Sequence, residues 1–280
     1  MIHVATVHWR DDRWVDVQLR YLERFLPSPY RVYAYLTGLD ENYGARYFFS
    51  SFERIRDHAT KLNLLAAEIA AAAESPDDPI VFIDGDAFPV ARLEPLLREE
   101  LPRHGLVAVR RSELGDPQPH PCFCVTTVGL WSKLGGDWRQ GGDGWQNAAG
   151  RTITDVGGVL RDQLREAKVD WKPLERSNAR NPHPLFFAVY GGVVYHHGGG
   201  FRAARGGRLV NAESGVHEAR SSLRARALDA LPRNRATRAL RRRLHPARRL
   251  NRRLRAQTAR QSGEMLERIE RDPDFFRELL

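Results

Sequence analysis

Residues 80–83 read Ile-Val-Phe-Ile, an unbroken apolar run that passes straight into Asp84-Gly85-Asp86. A half-exposed strand alternates apolar with polar positions, so a run without polar residues belongs to a strand covered on both faces, in the middle of a sheet. The surrounding chain supplies the covering layers. A β-branched segment at 4–7 leads into Val15, Leu19, Leu22 and Phe25 at helical spacing; 31–36 reads as a second strand and 59–73 as a helix rich in Ala and Leu. Further on, 93–101 is expected to be helical, 106–109 a strand, 122–127 a strand followed by a short helical turn, and 186–195 a strand. The glycine-rich stretch 135–150 reads as a surface loop. No internal repeat is present. Alternating strands and helices of this kind predict an α/β fold with a mostly parallel sheet flanked by helices, extending from residue 1 to about residue 210.

With 280 residues, 42% of them hydrophobic and 28% charged, the chain lies outside the disordered, collagenous and disulfide-scaffold classes. Its best apolar run, 64–73, contains Glu68 and is far short of the roughly 18 residues that a membrane span requires. The opening Met-Ile-His-Val-Ala-Thr-Val-His-Trp-Arg lacks the features of a secretory signal, which leads to the expectation of a cytoplasmic protein. The two cysteines, Cys122 and Cys124, are expected on one face of one strand, where their spacing does not suit a disulfide.

Charge divides the chain unevenly. Residues 220–260 hold 15 arginines and a single acid, Asp229, a net charge of +14, while the remainder carries 29 basic against 34 acidic residues. From 216 onward the pattern is of arginine-rich helices broken at Pro232 and Pro246, with an apolar stripe of Leu240, Leu244, Ala247, Leu250 and Leu254. A last short helix is expected from Pro273 with Asp272 as its cap. The chain thus divides into a body, 1–215, and a basic helical C-terminal extension, 216–280. The stripe points first to docking on the body or on a second subunit. Contact with an anionic membrane surface, and hence a peripheral position at the inner face of the membrane, comes second. A nucleic-acid-binding protein acting through the tail would leave the acidic motif without a role.

Asp84 and Asp86 lie at the C-terminal edge of a central strand, where open α/β sheets bind ligands. Their carboxylates suit a hard divalent cation, Mn²⁺ or Mg²⁺, bridging the phosphates of a nucleotide, and Gly85 permits close backbone approach. A solvated Asp-Gly turn is the plain alternative. A second cluster, Val-Val-Tyr-His-His-Gly-Gly-Gly-Phe-Arg at 193–202, delivers His196 and His197 from a strand. Neighbouring strand residues face opposite sides, so one of the two is expected to reach the site, with His196 favoured. Arg202 and the glycines suit a diphosphate.

Together these segments resemble the GT-A fold of nucleotide-sugar glycosyltransferases, over roughly residues 1–202. The resemblance implies a catalytic domain in 1–215 that takes a nucleotide-diphosphate sugar and an acceptor hydroxyl. It further implies that Asp86 ligates the metal, that Asp84 contacts the ribose or a metal-bound water, and that His196 or His197 completes the protein ligands. Thr6 and His8 match the place that receives the nucleoside, or an ordinary strand terminus. His58 and Lys61, three apart at a helix start, suit the diphosphate, or a solvated helix face. Asp155 resembles the acid beside the acceptor that an inverting enzyme uses as general base; a helix N-cap is the alternative. Trp131, Trp138 and Trp145 flank the glycine-rich stretch and either stack on a sugar or pack beneath it. Among rival enzymes, a haloacid-dehalogenase phosphatase would show Gly-Thr where Ala87-Phe88 stand. A nucleotidyltransferase would carry a glycine- and lysine-rich loop where residues 8–13 read His-Trp-Arg-Asp-Asp-Arg.

Overall fold

In chain order the strands are β1 (Ile2–Trp9), β2 (Tyr30–Thr37), β3 (Phe49–Ser51), β4 (Pro79–Asp84), β5 (Ala87–Pro89), β6 (Leu106–Val109), β7 (His120–Thr127), β8 (Trp145–Gln146), β9 (Thr152–Ile153), β10 (Lys172–Leu174), β11 (Ala188–Tyr190) and β12 (Val194–His196). The helices are α1 (Arg13–Phe25), α2 (His58–Ala72), α3 (Leu101–His104), α4 (Val128–Leu134), α5 (Gly158–Glu166), α6 (Leu223–Ala230), α7 (Arg235–Leu244) and α8 (Pro246–Arg271). The computed structural model describes residues 1–146, 152–183, 185–198, 219, 222–232 and 234–280.

Seven strands form the main sheet in the order β10-β6-β7-β4-β1-β2-β3, with β4 and β1 near its middle. Four of its six pairings are parallel, and β7 is the strand that runs against both neighbours. The apolar run of β4 serves two cores at once. Val81 and Ile83 pack on the α1 side with Val4, Val15, Leu22 and Val32; Ile80 and Phe82 pack on the α2 side with Ala5, Tyr33, Leu65 and Ile69. Each buried aliphatic side chain of this kind contributes about 1.5–3 kcal/mol. α2 starts where Asp57 accepts the Thr60 N–H at 2.7 Å, and it buries Ala59, Leu62, Leu65, Ala66 and Ile69 at i, i+3, i+4 spacing.

Several local expectations change. The stretch 186–195 forms two short antiparallel strands, β11 and β12, because Gly191 and Gly192 take φ of 57° and 66°, a turn that only glycine adopts without strain. The helix expected at 93–101 is a short π-helical turn at Leu96–Glu100 continued by α3. Cys122 and Cys124 do not share a face. The β6–β7 register shifts between Ala108, opposite Cys124, and Val109, opposite His120, and this bulge places Cys122 in the α1-side core while Cys124 stays in the α2-side core. Both are buried free thiols.

β11, β12 and β5 make a second sheet; its Phe88, Val189 and Tyr195, together with Phe187 just before β11, build a third core with Trp14, Val17 and Tyr21 of α1. The C-terminal half of α8 closes this core with Met265, Leu266 and Ile269, followed by Phe275, Phe276 and Leu279. The Tyr21 hydroxyl donates to the Pro273 carbonyl at 2.8 Å and Arg24 pairs with Asp274 at 2.6 Å, so the chain end is tied to α1. The last turn is a 3₁₀ helix at Phe275–Glu278 with Asp274 in the cap position; Asp272 instead ends α8. Of the predicted stripe, Ala247 is buried, Leu244, Leu250 and Leu254 are half-buried, and Leu240 is exposed. Among the described residues, no helix is long and apolar enough to cross a membrane.

Candidate metal centre and cleft

β1 and β4 run parallel with Val7 opposite Asp84, and their C-terminal ends open into a cleft of about 370 Å³. Asp84 is the last residue of β4. The chain turns through Gly85 and Asp86 and re-enters as β5, whose Ala87 pairs with His196 of β12. That pairing brings the imidazole beside both carboxylates. His196 Nε2 lies 3.7 Å from Asp84 Oδ2 and 3.5 Å from Asp86 Oδ1, and the three potential ligand atoms all lie within 4.8 Å of one another.

The donor set fits a divalent cation. Asp84 Oδ1 is buried and has no aligned hydrogen-bond donor, although His58 Nε2 stands 3.0 Å away. Two carboxylates with one imidazole form an O,O,N set of the kind taken by Mn²⁺ and, through the carboxylates, by Mg²⁺. Burial alone would raise the Asp84 pKa, but the neighbouring His58, His196 and His120 outweigh it and hold the carboxyl below the usual range. For His196, burial disfavours the charged form, yet Cys122 and Asp86 outweigh it and raise the imidazole above its ordinary range. Burial pushes the Cys122 thiol up, so the lasting charge beside His196 is that of the carboxylates. A cation at this point would displace that proton.

The turn is braced from below by Gln18, a residue that the sequence reading missed. Its Nε2 donates to the Asp84 carbonyl at 2.7 Å and to the Ala87 carbonyl at 2.8 Å, while its Oε1 accepts from Thr6 Oγ at 2.9 Å. His8 Nε2 stands 3.2 Å from the same Oε1. The available signal was a fully polar amide on the buried stripe of an amphipathic helix, between Val15 and Leu22. Gly85 completes the brace. Its N–H donates to the Val7 carbonyl at 3.1 Å, and a Cβ there would come within 2.7 Å of both that oxygen and His8 Nδ1.

The other predicted residues separate into cleft wall and support. His8, His58, Lys61 and Asp155 line the cleft, whereas Thr6 is fully buried beneath it. Burial lowers the His8 pKa to about 4, so its ring is neutral. Lys61 is buried, with Nζ 4.3 Å from the centroid of the Trp9 ring. His197 turns to the opposite side from His196. Its ring sits between Trp14 and Phe187, with Nδ1 3.0 Å from the Tyr195 hydroxyl and Nε2 2.8 Å from Ser262 Oγ of α8. Burial lowers its pKa to about 3, with the charge on His196 adding to the effect.

Asp155 does not cap α5. Gly157 holds the cap position at φ 93°, and Asp155 instead accepts from the Val156 N–H at 2.8 Å and from Arg111 at 2.6 Å. Arg111 also pairs with Asp116, and though burial opposes its charge, the two carboxylates raise its pKa further. Arg111 and His120 were both missed. Arg111 follows the C-terminal end of β6, which runs in the direction of β4, and that position is itself a signal of the ligand edge. His120 forms another part of the wall, its Nδ1 accepting from the Cys122 N–H at 3.1 Å. Trp131 and Trp138 pack on Phe82, with ring centroids 4.7 and 5.1 Å away, and neither they nor Trp145 line the cleft. Arg202 lies outside the described residues.

No family model and no curated protein matches the chain. Solved structures show partial likeness. The glycosyltransferase GlyE of Streptococcus pneumoniae TIGR4 is 11% identical with a TM-score of 0.40, covering 62% of this chain and 45% of its own. S. aureus TarS in complex with UDP is 11% identical with a TM-score of 0.37, covering 50% of each chain. The galactosyltransferase LgtC in complex with donor and acceptor sugar analogs is 12% identical with a TM-score of 0.37, covering 62% of this chain and 73% of its own. The chain therefore spans about half the length of GlyE and TarS.

Proposed function

We propose that this chain is a metal-dependent glycosyltransferase of the GT-A type, transferring a sugar from a nucleotide-diphosphate sugar to an acceptor hydroxyl. The observation that carries the reading is the convergence of Asp84, Asp86 and His196 at the C-terminal edge of the central strand of a mostly parallel sheet, in the wall of a cleft. A solvated Asp-Gly turn would have no reason to bring both half-buried carboxylates within 4 Å of an imidazole or to be held by a buried glutamine. Asp84, Asp86 and His196 would hold Mn²⁺ or Mg²⁺, which supplies positive charge to the diphosphate. Lys61 and His58, on the first turn of α2, add charge and donors on the same side. Trp9 and His8 offer the nucleoside an aromatic face and a neutral imidazole.

In the transfer, the acceptor oxygen bonds to the anomeric carbon while the bond from that carbon to the diphosphate breaks, and the acceptor proton leaves to a base. Asp155 is the carboxylate across the cleft suited to that base in an inverting reaction. Both its oxygens are engaged in the free protein, so an acceptor hydroxyl would exchange with the Val156 N–H or with Arg111. Arg111 then acts as a positioning residue for Asp155. No glycine stands between His8 and Arg13, which leaves the nucleotidyltransferase reading without a phosphate loop.

The test is a thermal-shift panel of nucleotide sugars with and without Mn²⁺. A ligand at 100 times its Kd stabilises by about 2.7 kcal/mol, an upward shift of roughly 5–10 °C for a protein of this size. A shift that needs both Mn²⁺ and one nucleotide sugar supports the reading; no response to any member of the panel removes it.

A further inference from the structure

We propose that α6, α7 and the N-terminal half of α8 form a surface that docks on an anionic lipid bilayer. The assignment stands apart from the transfer reaction and uses none of the cleft residues. Arg238, Arg242 and Arg243 on α7, and Arg249, Arg252 and Arg253 on α8, are all exposed, and among the described residues none has a carboxylate within 4 Å. The exception is Arg241, turned inward to donate to the Leu228 and Asp229 carbonyls at the end of α6 at 2.7 and 3.2 Å. It joins the two helices rather than facing outward.

The acidic body is the first candidate to neutralise this charge, and among the described residues none of its carboxylates pairs with these six arginines. α8 meets the body through its other half: His183 stands 3.3 Å from Thr258, Ser262 bonds His197, and Met265, Leu266 and Ile269 enter the third core. Among the described residues, the exposed arginines of the basic half have no carboxylate partner. A charge of +14 across residues 220–260 is complementary to a partner carrying dense negative charge.

Two observations favour lipid over nucleic acid. Leu223 and Leu240 are 83% and 42% exposed among the arginines, and a bilayer interface buries such side chains while phosphates attract the guanidinium groups. Residues 202–274 contain no Phe, Tyr or Trp, so the surface lacks the large aromatic platforms on which unpaired bases stack most strongly.

The experiment is co-sedimentation of the full chain with phosphatidylcholine vesicles containing either no phosphatidylglycerol or about 30 mol% of it, at about 0.1 and 0.5 M salt, chosen to bracket screening. Binding is expected only to the anionic vesicles and only at the lower salt. Each arginine near such a surface contributes about fivefold. Replacing four together (Arg238→Gln, Arg242→Gln, Arg249→Gln, Arg253→Gln) should thus weaken partitioning by about 10² to 10³. Leu223→Asn with Leu240→Asn should weaken it about tenfold or more with every charge retained. All six positions are exposed, so melting temperature and far-UV circular dichroism should match the parent. Absence of binding to anionic vesicles at low salt overturns the proposal. So does binding that the leucine substitutions leave unchanged and that a duplex oligonucleotide of equal charge displaces, because the surface would then be a nucleic-acid site.

Discussion

Replacing Gln18 by leucine tests whether the brace under the acidic turn positions the metal ligands. Leucine keeps most of the side-chain volume on α1, so no large cavity forms, but four bonds disappear: those to the Asp84 and Ala87 carbonyls and those that Oε1 makes with Thr6 Oγ and His8 Nε2. Each buried polar group left without its partner costs about 1–3 kcal/mol, giving a loss of about 4 kcal/mol or more and a fall in melting temperature of at least about 10 °C. The functional effect is separate. The two carbonyls flank Asp84 and Asp86 along the chain, so freeing them loosens both carboxylates, and Mn²⁺ affinity should fall about 10- to 100-fold, as for loss of an outer-shell support. Thr6→Val is the control. It removes a single bond to the same glutamine and leaves both carbonyls held, so it should cost about 1 kcal/mol and leave Mn²⁺ affinity unchanged. Calorimetric titration with Mn²⁺ and a thermal melt of each variant give the two quantities. A Gln18→Leu protein with parental Mn²⁺ affinity would show that the turn holds its shape without the brace, and the reasoning would be wrong.

The two adjacent histidines should part company: His196→Ala should abolish Mn²⁺ binding with little change in melting, whereas His197→Ala, emptying a site between Trp14 and Phe187, should lower stability by about 3 kcal/mol. Isothermal titration and denaturant unfolding of the pair check this, and equal effects on metal affinity would contradict it. Asp155→Asn should reduce turnover by about 10² to 10⁴ while donor affinity stays near the parent value, measured by initial rates and by nucleotide-sugar titration; unchanged turnover removes Asp155 as base. Gly85→Ala should cost about 1–3 kcal/mol and weaken Mn²⁺ binding, since its Cβ would meet the Val7 carbonyl at 2.7 Å; a variant with parental melting and Mn²⁺ affinity would mean that the close approach relaxes freely. Acid should destabilise the protein through His8. Its folded pKa of about 4 lies below the ordinary 6.5, so the unfolded chain binds the extra proton, and stability present above pH 6.5 is lost as pH falls towards 4, by about 2 kcal/mol at pH 5. Urea unfolding at pH 7 and 5 should show a smaller drop in His8→Gln by that amount, and an equal drop would exclude His8 as the sensor.

Much of the architecture is written locally. The Ile-Val-Phe-Ile run allows no exposed face, so β4 had to lie inside a sheet with cover on both sides, and Asp84 and Asp86 had to emerge at its C-terminal edge. The start of α2, the strands β1, β2 and β6, and the division between an acidic body and a basic tail are likewise legible, because apolar period and charge are properties of neighbouring residues.

What the sequence leaves open depends on contacts between distant segments. Alternation says that His196 and His197 face opposite ways; only the pairing of β12 with β5, across more than 100 residues, decides that His196 meets the carboxylates. Gln18 is an ordinary polar residue until α1 lies across the acidic turn, and Thr6 belongs to that support because its side of β1 faces α1. A three-residue bulge moves Cys122 away from the face of Cys124, and Asp155 finds Arg111 instead of a helix N-terminus. The tail anchors through the end of α8 and the aromatic chain end rather than through its leucine stripe, because the third core offers Phe88, Tyr195 and Trp14 there, while no described carboxylate pairs with the exposed arginines of α7 and the first half of α8. Periodicity determines which face of an element is apolar; long-range packing determines what that face meets.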